Sequence, residues 1–564
     1  MSAEGTGIPL NRRSFLGVAA AAAGAAAASP LLAGCGTTGS QTGTTSSSQL
    51  AKILPAYVPS TVVKPNIPSV NGSDPAYFTY PTDLVHTVSE MPGAGGKYTA
   101  ITPLWASIPP AGNQYYQAVN QALGASLTVQ PSNGNTYNTA LPPLFAGNKL
   151  PDWLNIPSWN MAPLNPGQAV QARFADLTPY LSGNNVKKYP NLANVPPAAW
   201  QAGVWNNKIY GIPVYPSNVV FGGALFYRQD ILAKLGIGTP TVKTVADLLA
   251  LGKEVNDPKG RRWAFDDIWP HLGQPFGIPL NPPNNWVTNA KGDLVASWET
   301  QEIIEALNWI RGVFKAGLVH PDAVALDTSS AKQRFWSGQE VMTFDGTGAW
   351  NGSDAVSGTA ANKSYVRMAF PLFTANGTGT PTIALGNGAG LFSYLNKNLT
   401  KSQIEECLRI ANYLAAPFGS YEYTLINYGQ PSIDYTMSSS GPVLTATGNK
   451  NVAGTYSFLA TAPSVTSPQN GYVSVARAYA LWQQGAAKGK YKPLFYDMNV
   501  ATPNSLATAL AAPTFTNTGN MLQNVARGRN TIADYQAAVK DWQRNGGNAL
   551  RRFMEGIRSK YGDA

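Results

Sequence analysis

The sequence predicts an α/β fold with parallel sheets and room for more than one lobe. Its 564 residues are enough for two or more hydrophobic cores, and 44% of them are apolar. From residue 97 onward, strand-like and helix-like patterns alternate along the chain. This βαβ order is typical of parallel strands joined by helices, and such sheets bind ligands beyond the carboxyl ends of their strands.

The first predicted elements follow each other closely along the chain. They are a strand at 98–104, a helix at 115–123, a strand at 126–130, a strand at 151–156 and, much later, a strand at 341–344. Three tryptophans, Trp105, Trp159 and Trp350, come soon after predicted strands. Because ligands gather where parallel strands end, we expect these indoles near a binding site.

Charge and metal-ligand spacing exclude several functions. Charged residues make up 12% of the chain, and the net charge of +10 is scattered without a Lys/Arg run. This pattern argues against a nucleic-acid partner. His86, His271 and His320 lie far from each other and from Cys35 and Cys407, so no metal-ligand spacing exists. We expect no metal and no cofactor.

The N-terminus carries an export pattern. Arg12 and Arg13 precede an alanine-rich run that ends in Leu-Ala-Gly-Cys at Cys35. This resembles a bacterial twin-arginine signal with a lipobox, although Asn11 replaces the usual Ser or Thr. The resemblance implies removal of residues 1–34 and a diacylglycerol on Cys35, which anchors the protein stably. The alternative, a transmembrane helix, is disfavoured because the run is short and only weakly apolar. The expected location is the cell surface or periplasm, at the outer face of the cytoplasmic membrane.

Several segments, in the same order along the chain, resemble one protein family. They are 208–215, 224–230, 317–322, 335–350, 421–436 and 534–547. Together they are similar to the extracellular solute-binding lipoproteins of ABC sugar importers, in the larger branch that takes oligosaccharides. The first two segments resemble that family's first crossover between lobes. The stretch 335–350 matches the place of a sugar-stacking aromatic in the second lobe.

The resemblance implies a fold, a domain organisation and partners. The fold would be two-lobed, periplasmic-binding-protein-like (type II), each lobe a mainly parallel sheet flanked by helices. The implied organisation is a signal peptide 1–34, a flexible Gly/Ser/Thr tether 35–48, a proline-rich leading segment 49–96, an N-lobe of 97–213 and 376–430, and a C-lobe of 214–375 and 431–564. The implied partners are an oligosaccharide and the transmembrane permease subunits, with the protein itself a monomer.

One segment departs from the family pattern. Some relatives carry an acidic calcium loop after the helix that corresponds to 245–255. Here residues 256–262 read Asn-Asp-Pro-Lys-Gly-Arg-Arg, with one carboxylate and three cations. Since calcium takes six or more oxygen ligands, we expect no metal in this loop.

The candidate ligand-binding residues follow from the chemistry of sugars. A sugar ring has an apolar face and a rim of hydroxyls, so its site needs flat aromatic surfaces and hydrogen-bonding groups. The candidates are Trp350, Trp159, Tyr215 and Trp105 as platforms, Asp345 and Asn160 as hydroxyl partners, and Trp286 at the border of the cleft, with Trp269 beside it. Trp350 as a core residue, Trp159 in a plain turn and Tyr215 as hinge packing remain the alternatives.

The rival function is an exported glycoside hydrolase or polysaccharide lyase. It needs two convergent carboxylates, or a base with a Tyr or His. Glu299, Glu302, Asp266, Asp267 and Asp345 are available, but the sequence does not show that any two converge. A surface adhesin or scaffold is a third possibility, although the chain lacks the internal repeats that such proteins often have. We therefore expect binding without catalysis. Arg228, Arg261 and Arg262 leave acidic sugars open as ligands.

Overall fold

A computed structural model describes most of the chain beyond the N-terminal 43 residues. The described residues are 44–60, 62–147, 149–161, 166–221, 223–268, 271, 273–279, 285–325, 328–350, 353–468, 472–496, 498–500, 502–510 and 521–561. Cys35, the signal segment 1–34 and Trp269 lie outside them. Within the described ranges, no helix is both long and apolar enough to cross a membrane.

Strands and helices alternate as the sequence predicts. The strands are β1 Lys97–Leu104, β2 Ser126–Asn133, β3 Trp153–Pro157, β4 Val204–Trp205, β5 Lys208–Ile209, β6 Gly211–Val214, β7 Ala224–Arg228, β8 Trp263–Phe265, β9 Trp286–Thr288, β10 Leu294–Ala296, β11 Glu340–Asp345, β12 Arg367–Ala369, β13 Ile383–Ala384, β14 Leu391–Leu395, β15 Tyr435–Ser438, β16 Gly441–Leu444 and β17 Lys490–Tyr491. The helices are α1 Ser47–Ile53, α2 Gln114–Leu123, α3 Tyr137–Ala146, α4 Pro166–Arg173, α5 Thr178–Leu181, α6 Pro190–Ala193, α7 Pro197–Trp200, α8 Gln229–Lys234, α9 Val245–Val255, α10 Gln301–Lys315, α11 Thr328–Ser337, α12 Ser353–Ala361, α13 Lys401–Leu414, α14 Tyr421–Tyr428, α15 Ala446–Asn451, α16 Val473–Ala487, α17 Ala507–Leu510, α18 Met521–Ala526, α19 Ile532–Trp542 and α20 Asn548–Tyr561.

Local signals set the helix ends. The Asn113 side chain accepts a hydrogen bond from the Tyr116 amide at the start of α2. The same helix ends at Gly124, whose φ of 62° is a left-handed conformation that glycine adopts without a steric penalty. Thr244 and Asp247 form a reciprocal capping box at the start of α9.

The first lobe is built on a five-stranded sheet with the order β2-β1-β3-β14-β6. β1 runs parallel to β2 and β3, whereas β14 runs antiparallel to both β3 and β6. It follows that β1, β2, β3 and β6 all point the same way, and their carboxyl ends share one edge. β3 is buried along its whole length, as expected for a central strand with both faces covered.

The second lobe is built on a four-stranded sheet with the order β12-β7-β11-β8. β8 is parallel to β11, while β7 is antiparallel to both β11 and β12. The core of this lobe joins the sheet to α10 and the C-terminal helices, with Ile310, Tyr535 and Trp542 among its buried residues. The two-lobed α/β class is confirmed, and in each main sheet a single strand, β14 or β7, runs against the others. β7 and β14 are the first main strands after a crossover from the other lobe, and each enters its sheet against the direction of its neighbours.

In the described part of the chain, three crossover segments connect the lobes, namely 215–221, 370–390 and 461–468. They are hydrogen-bonded to each other: the Ser217 amide donates to the Gly388 carbonyl at 2.7 Å, and the Ser464 amide donates to the Pro216 carbonyl at 2.7 Å. A Cβ at Gly388 would lie 2.5 Å from the Ala199 nitrogen, so only glycine allows this close backbone approach. The crossovers therefore form one joint between the lobes.

The lobe boundaries differ from those implied by the resemblance. Residues 431–460 were assigned to the C-lobe, but Tyr456 and Leu459 are buried in the first core. Conversely, Leu385 lies in the part assigned to the N-lobe and packs in a cluster with Trp482 of the second lobe. The core in which the apolar side chains are buried shows where the chain changes lobes. At the third crossover this change comes about 30 residues later than the predicted boundary at residue 431.

The predicted flexible tether, 35–48, also ends too late. Thr45 is buried, its amide donates to the Asn499 carbonyl at 3.1 Å, and its hydroxyl accepts from the Asn207 amide at 3.0 Å. Leu50 in α1 is buried in the first core. Residues 44–48 are thus held by hydrogen bonds and packing, and in the described part of the chain the fold begins at residue 44.

Candidate ligand-binding site

Three exposed aromatic residues follow three strands of the first sheet at its carboxyl edge. Trp105 comes after β1, Trp159 after β3 and Tyr215 after β6, with exposed fractions of 45%, 59% and 42%. Because these strands point the same way, their carboxyl ends bring the three side chains to one edge. The crossovers leave the first lobe at this same edge, which therefore faces the space between the lobes.

Phe458 links these aromatics into one cluster. The ring centroids of Trp105 and Trp159 are 6.2 Å apart, and Phe458 lies 5.7 Å from Trp105. Tyr215 meets Phe458 edge to face at 5.7 Å. These are the spacings of interacting aromatic pairs, so the four rings form a continuous surface. We call Trp105, Trp159, Tyr215 and Phe458 the aromatic cluster.

Phe458 was not identified from the sequence. It is buried and packs on Leu104, Val214 and Leu391, the end residues of three strands of the first sheet. It lies in a loop without periodicity, more than 240 residues beyond Tyr215. No local pattern in the sequence indicates that this ring supports the others.

Two glycines let the indoles lie close to the backbone. A Cβ at Gly134 would come within 2.4 Å of Trp105 Cε2, so this indole rests against bare backbone. A Cβ at Gly390 would lie 3.4 Å from Trp159 Cζ3, and the Ser158 amide donates to the Gly390 carbonyl at 3.0 Å. One side of each indole is thereby supported while the rest stays exposed.

The loop that carries Phe458 is fastened to the first sheet by buried polar side chains. The Asn155 amide nitrogen donates to the Phe458 carbonyl at 2.6 Å, and the Ser393 hydroxyl donates to the Leu459 carbonyl. Trp153 Nε1 in turn donates to the Ser393 hydroxyl at 2.8 Å. Buried hydrogen bonds are costly to leave unmade, so this network holds the loop in place.

Tyr215 is held in an unusual backbone conformation. Its φ is 51°, a left-handed value that costs a non-glycine residue about 1 kcal/mol or more. The Tyr215 amide donates to the Thr461 hydroxyl at 2.6 Å, which joins the first crossover to the third. Desolvation raises the pKa of Tyr215 to about 12, and a hydrogen bond with Ser457 limits the rise. The phenol is therefore neutral and able to donate a hydrogen bond.

Asn160 lies next to this cluster in sequence. It ends the single 3-10 turn Ser158–Asn160 and is half-buried. Its amide both donates and accepts, which suits a sugar hydroxyl.

Trp350 lies elsewhere, and its prediction as a ligand platform is wrong for this structure. It is only 1% exposed, packs against Phe226 at 5.1 Å and Tyr479 at 5.5 Å, and donates from Nε1 to the Arg367 carbonyl at 3.1 Å. The 3-10 turn Thr347–Ala349 directs the chain back into the second lobe after β11. Trp350 therefore fills a core, which was the alternative interpretation.

Trp286 is also a core residue and does not border the cleft. It lies in β9, is 2% exposed and packs in the second core. β9 pairs with β10 in a short antiparallel hairpin that was not predicted from the sequence.

Asp345 lies at the edge of the second sheet that faces the crossovers, but it is engaged in ion pairs. Its Oδ2 is 3.2 Å from Lys332 Nζ and 3.1 Å from Arg367 Nη2. Burial alone would raise the pKa of Asp345, but the two cations outweigh it and hold the pKa below its usual value. Its carboxylate is therefore committed to the protein and not to a sugar hydroxyl.

The other carboxylates considered for catalysis are mostly engaged as well. Arg551 binds Glu299, Arg334 binds Asp266, and Arg527 binds Asp267. Glu302 lies on the exposed side of α10. Each of these three carboxylates is thus bound by a different arginine, an arrangement that stabilises the folded chain.

The loop 256–262 is closed by its own side chains. Arg262 Nε donates to the Val255 carbonyl at the end of α9 at 2.9 Å, where a cation is favoured by the helix dipole. Asp257 accepts from the Gly260 amide at 3.1 Å. Among the described residues, no three His, Cys, Asp or Glu side chains are grouped as a metal site would need.

Two lobes, three crossovers and an exposed aromatic cluster beside them define a protein that encloses a ligand between lobes. Comparison with known families gives the same class. The profile of the bacterial extracellular solute-binding proteins matches residues 114–433, more than half of the chain. The chain therefore belongs to this extracellular family, which confirms the resemblance seen in the sequence.

Individual relatives are distant but match over most of their length. Lipoprotein LipO of Bacillus subtilis (strain 168) is 22% identical over 496 residues, which are 83% of this chain and 94% of LipO. An HMO-binding solute-binding protein associated with an ABC transporter, from Bifidobacterium longum infantis, has a TM-score of 0.60 at 15% identity, covering 83% of this chain and 100% of the other. The S. pneumoniae ABC-transporter protein FusA, in complex with kestose, has a TM-score of 0.58 at 15% identity, covering 82% and 99%. At these identities the structures establish the shared fold.

Proposed function

We propose that the chain is the substrate-binding lipoprotein of an ABC importer and that it captures an oligosaccharide on the aromatic cluster. The observation that carries this proposal is the convergence of Trp105, Trp159 and Tyr215 from three separate strands. A soluble protein has no structural need to expose three large aromatics together, and such a patch marks a binding surface. The structural relatives that bind HMO or kestose support a sugar as the ligand.

The cluster suits the chemistry of a sugar chain. The two indoles offer flat apolar surfaces to the C–H faces of sugar rings. The Tyr215 hydroxyl and the Asn160 amide offer hydrogen bonds to the hydroxyl rim, so that burial of the sugar leaves fewer polar groups unpaired. Trp350, Trp286 and Asp345 play no part in this site, since each is committed to the interior or the ion pairs of the second lobe.

Capture would proceed by closure of the lobes around the crossovers. Closure is a population shift, in which the ligand binds the closed form better than the open one. The second lobe contributes the edge at the end of β11, where Gly346 and Gly348 are exposed and leave open space beside the backbone. A sugar held on the aromatic cluster could approach the backbone amides of this turn.

The proposal includes an anchor and a partner. A lipid on Cys35 would hold the protein at the outer face of the cytoplasmic membrane, and its relative LipO is itself a lipoprotein. The transmembrane permease subunits would then receive the sugar. The twin-arginine route for export rests on Arg12 and Arg13 alone.

The test is binding without turnover. The mature protein is titrated with oligosaccharides in a calorimeter, and the same mixtures are analysed by chromatography after long incubation. We expect saturable binding and an unchanged oligosaccharide. A shortened or eliminated product would show an enzyme, and failure of every oligosaccharide to bind would refute the proposal.

A further inference from the structure

Among the described residues, the segments that form the rim of the aromatic cluster carry no acidic or basic side chain. The segments that end at or cross this edge are 105–113, 134–136, 158–161, 215–221, 385–390 and 452–461. None of them contains Asp, Glu, Lys, Arg or His, although 12% of the whole chain is charged. At that frequency several charges would be expected. The hydrogen-bonding groups of these segments are hydroxyls, side-chain amides, indole N–H groups and the backbone.

Three arginines keep acidic sugars possible as ligands, namely Arg228, Arg261 and Arg262. They lie at the edge of the second sheet that is farthest from the crossovers. Arg228 is the last residue of β7, whereas Ala224, at the other end of that strand, adjoins the crossover. The two residues are four positions apart along the strand, roughly 13 Å. Arg228 is also fully buried and paired with Asp230 at 2.8 Å. Arg261 and Arg262 precede β8, which starts opposite Glu340, the residue of β11 farthest from the crossovers.

The charges around Asp345, which lies at the edge of the second sheet that faces the crossovers, neutralise each other. Lys332 and Arg367 both bind Asp345, and Arg367 also binds Asp354 at 2.9 Å. Two cations thus face two carboxylates inside one network.

Two further charges adjoin the crossovers through the proline-rich leading segment. Asp74 accepts from the Ser217 hydroxyl at 2.6 Å, and Lys490 donates to the Asn71 carbonyl. Asp74 is an acid, and Lys490, the cation of the two, is bonded to the leading segment rather than to the aromatic cluster.

We infer that the site selects neutral oligosaccharides and rejects chains of uronic acids. This inference rests on the proposed function and narrows it to a substrate class. Closure of the lobes removes water from the bound sugar, and a carboxylate then needs a cation or several donors in place of its hydration. The rim provides no cation, so each carboxylate buried there opposes closure. A neutral hydroxymethyl group at the same position meets its needs with the hydroxyl and amide groups present.

The experiment offers both classes of sugar at once. Partial hydrolysates of cellulose, mannan, xylan, alginate and pectin are pooled and passed over the immobilised protein, and the retained sugars are identified by mass spectrometry. We expect neutral oligosaccharides to be retained. Retention of uronate oligosaccharides would overturn the inference but leave the proposed function standing, whereas retention of no sugar would overturn both.

A matched pair of ligands then measures the selectivity. A retained neutral oligosaccharide is compared by calorimetry with the chain of equal length and linkage whose C6 groups are carboxylates. We expect the acidic chain to bind at least about tenfold more weakly. Affinity for the neutral chain should not change when the ionic strength rises from about 0.05 to about 0.5 M, because no ion pair forms. Equal affinity for the two chains, or neutral binding that weakens steeply with salt, would contradict the inference.

Trp159→Ala and Tyr421→Ala show whether retention uses the aromatic cluster. Tyr421, the first residue of α14, is 50% exposed on the same lobe, but it stacks on His86 and is not part of the aromatic cluster. Retention should be lost in the Trp159 variant and kept in the Tyr421 variant. Retention that survives Trp159→Ala would place the sugar elsewhere and overturn the inference.

Discussion

Replacement of Trp159 by alanine should weaken sugar binding without unfolding the protein. Trp159 is the most exposed indole of the aromatic cluster, at 59%, and it lies beside Trp105 and the backbone of Gly390. Its removal therefore takes away ligand surface and little core packing. Exposed substitutions of this kind usually change the free energy of unfolding by less than about 1 kcal/mol.

The loss of affinity follows from the exposed area. An indole side chain has a surface of about 250 Å², of which 59% is about 150 Å². A sugar ring that covers one face removes about half of this from water, about 75 Å². At about 25 cal/mol per Å² the contact contributes about 2 kcal/mol, which corresponds to about 30-fold in the dissociation constant.

Calorimetric titration of wild type and Trp159→Ala with the same oligosaccharide measures this difference. Trp159→Phe should retain part of the affinity because a smaller ring still stacks, and Tyr421→Ala is the control for an exposed aromatic outside the site. Thermal unfolding of each variant checks the fold. Unchanged affinity in Trp159→Ala, or an equal loss in Tyr421→Ala, would refute the placement of the sugar on this ring.

Four further outcomes are expected. Trp350→Ala should lower the free energy of unfolding by about 3–5 kcal/mol, measured by denaturant titration, because it empties a buried site; a loss of sugar affinity at full stability would show that Trp350 contacts the ligand after all. Burial raises the pKa of Asp74 from 3.8 to about 7. The folded chain then holds a proton that the unfolded chain releases near pH 4, so stability should fall as the pH rises from about 4 to about 7 and then level off. Asp74→Asn should remove that part of the slope, and an unaltered pH profile would show that Asp74 does not titrate in this range. Thr461→Val should weaken sugar binding while all aromatic rings remain, since it deletes the acceptor of the Tyr215 amide; wild-type affinity would mean that this bond does not position Tyr215. Cys35→Ser should abolish labelling by radioactive palmitate and release the protein from membranes, and retained labelling would place the lipid on another residue.

The class of fold and four strands of the two main sheets could be predicted from the amino-acid sequence alone. Short apolar runs and the glycine and proline residues near their ends are local signals, and these located β1, β2, β3 and β11. The chain order of these elements, together with the collinear resemblance, was enough to indicate two lobes and a solute-binding family. It also placed Trp105 and Trp159 after strands that share one edge.

Which of the tryptophans is exposed depends on contacts between distant parts of the chain. Trp159 and Trp350 have similar local surroundings, since each lies at a short 3-10 turn just after a strand. Trp350 is buried because Phe226 and α16, both distant in sequence, pack against it. Trp159 stays exposed, and Gly390 supports one side of its indole. Burial is a sum over non-local contacts, which a local pattern does not encode. Phe458 could not be predicted as part of the cluster for the same reason. Its position depends on hydrogen bonds from Asn155 and Ser393 to its loop.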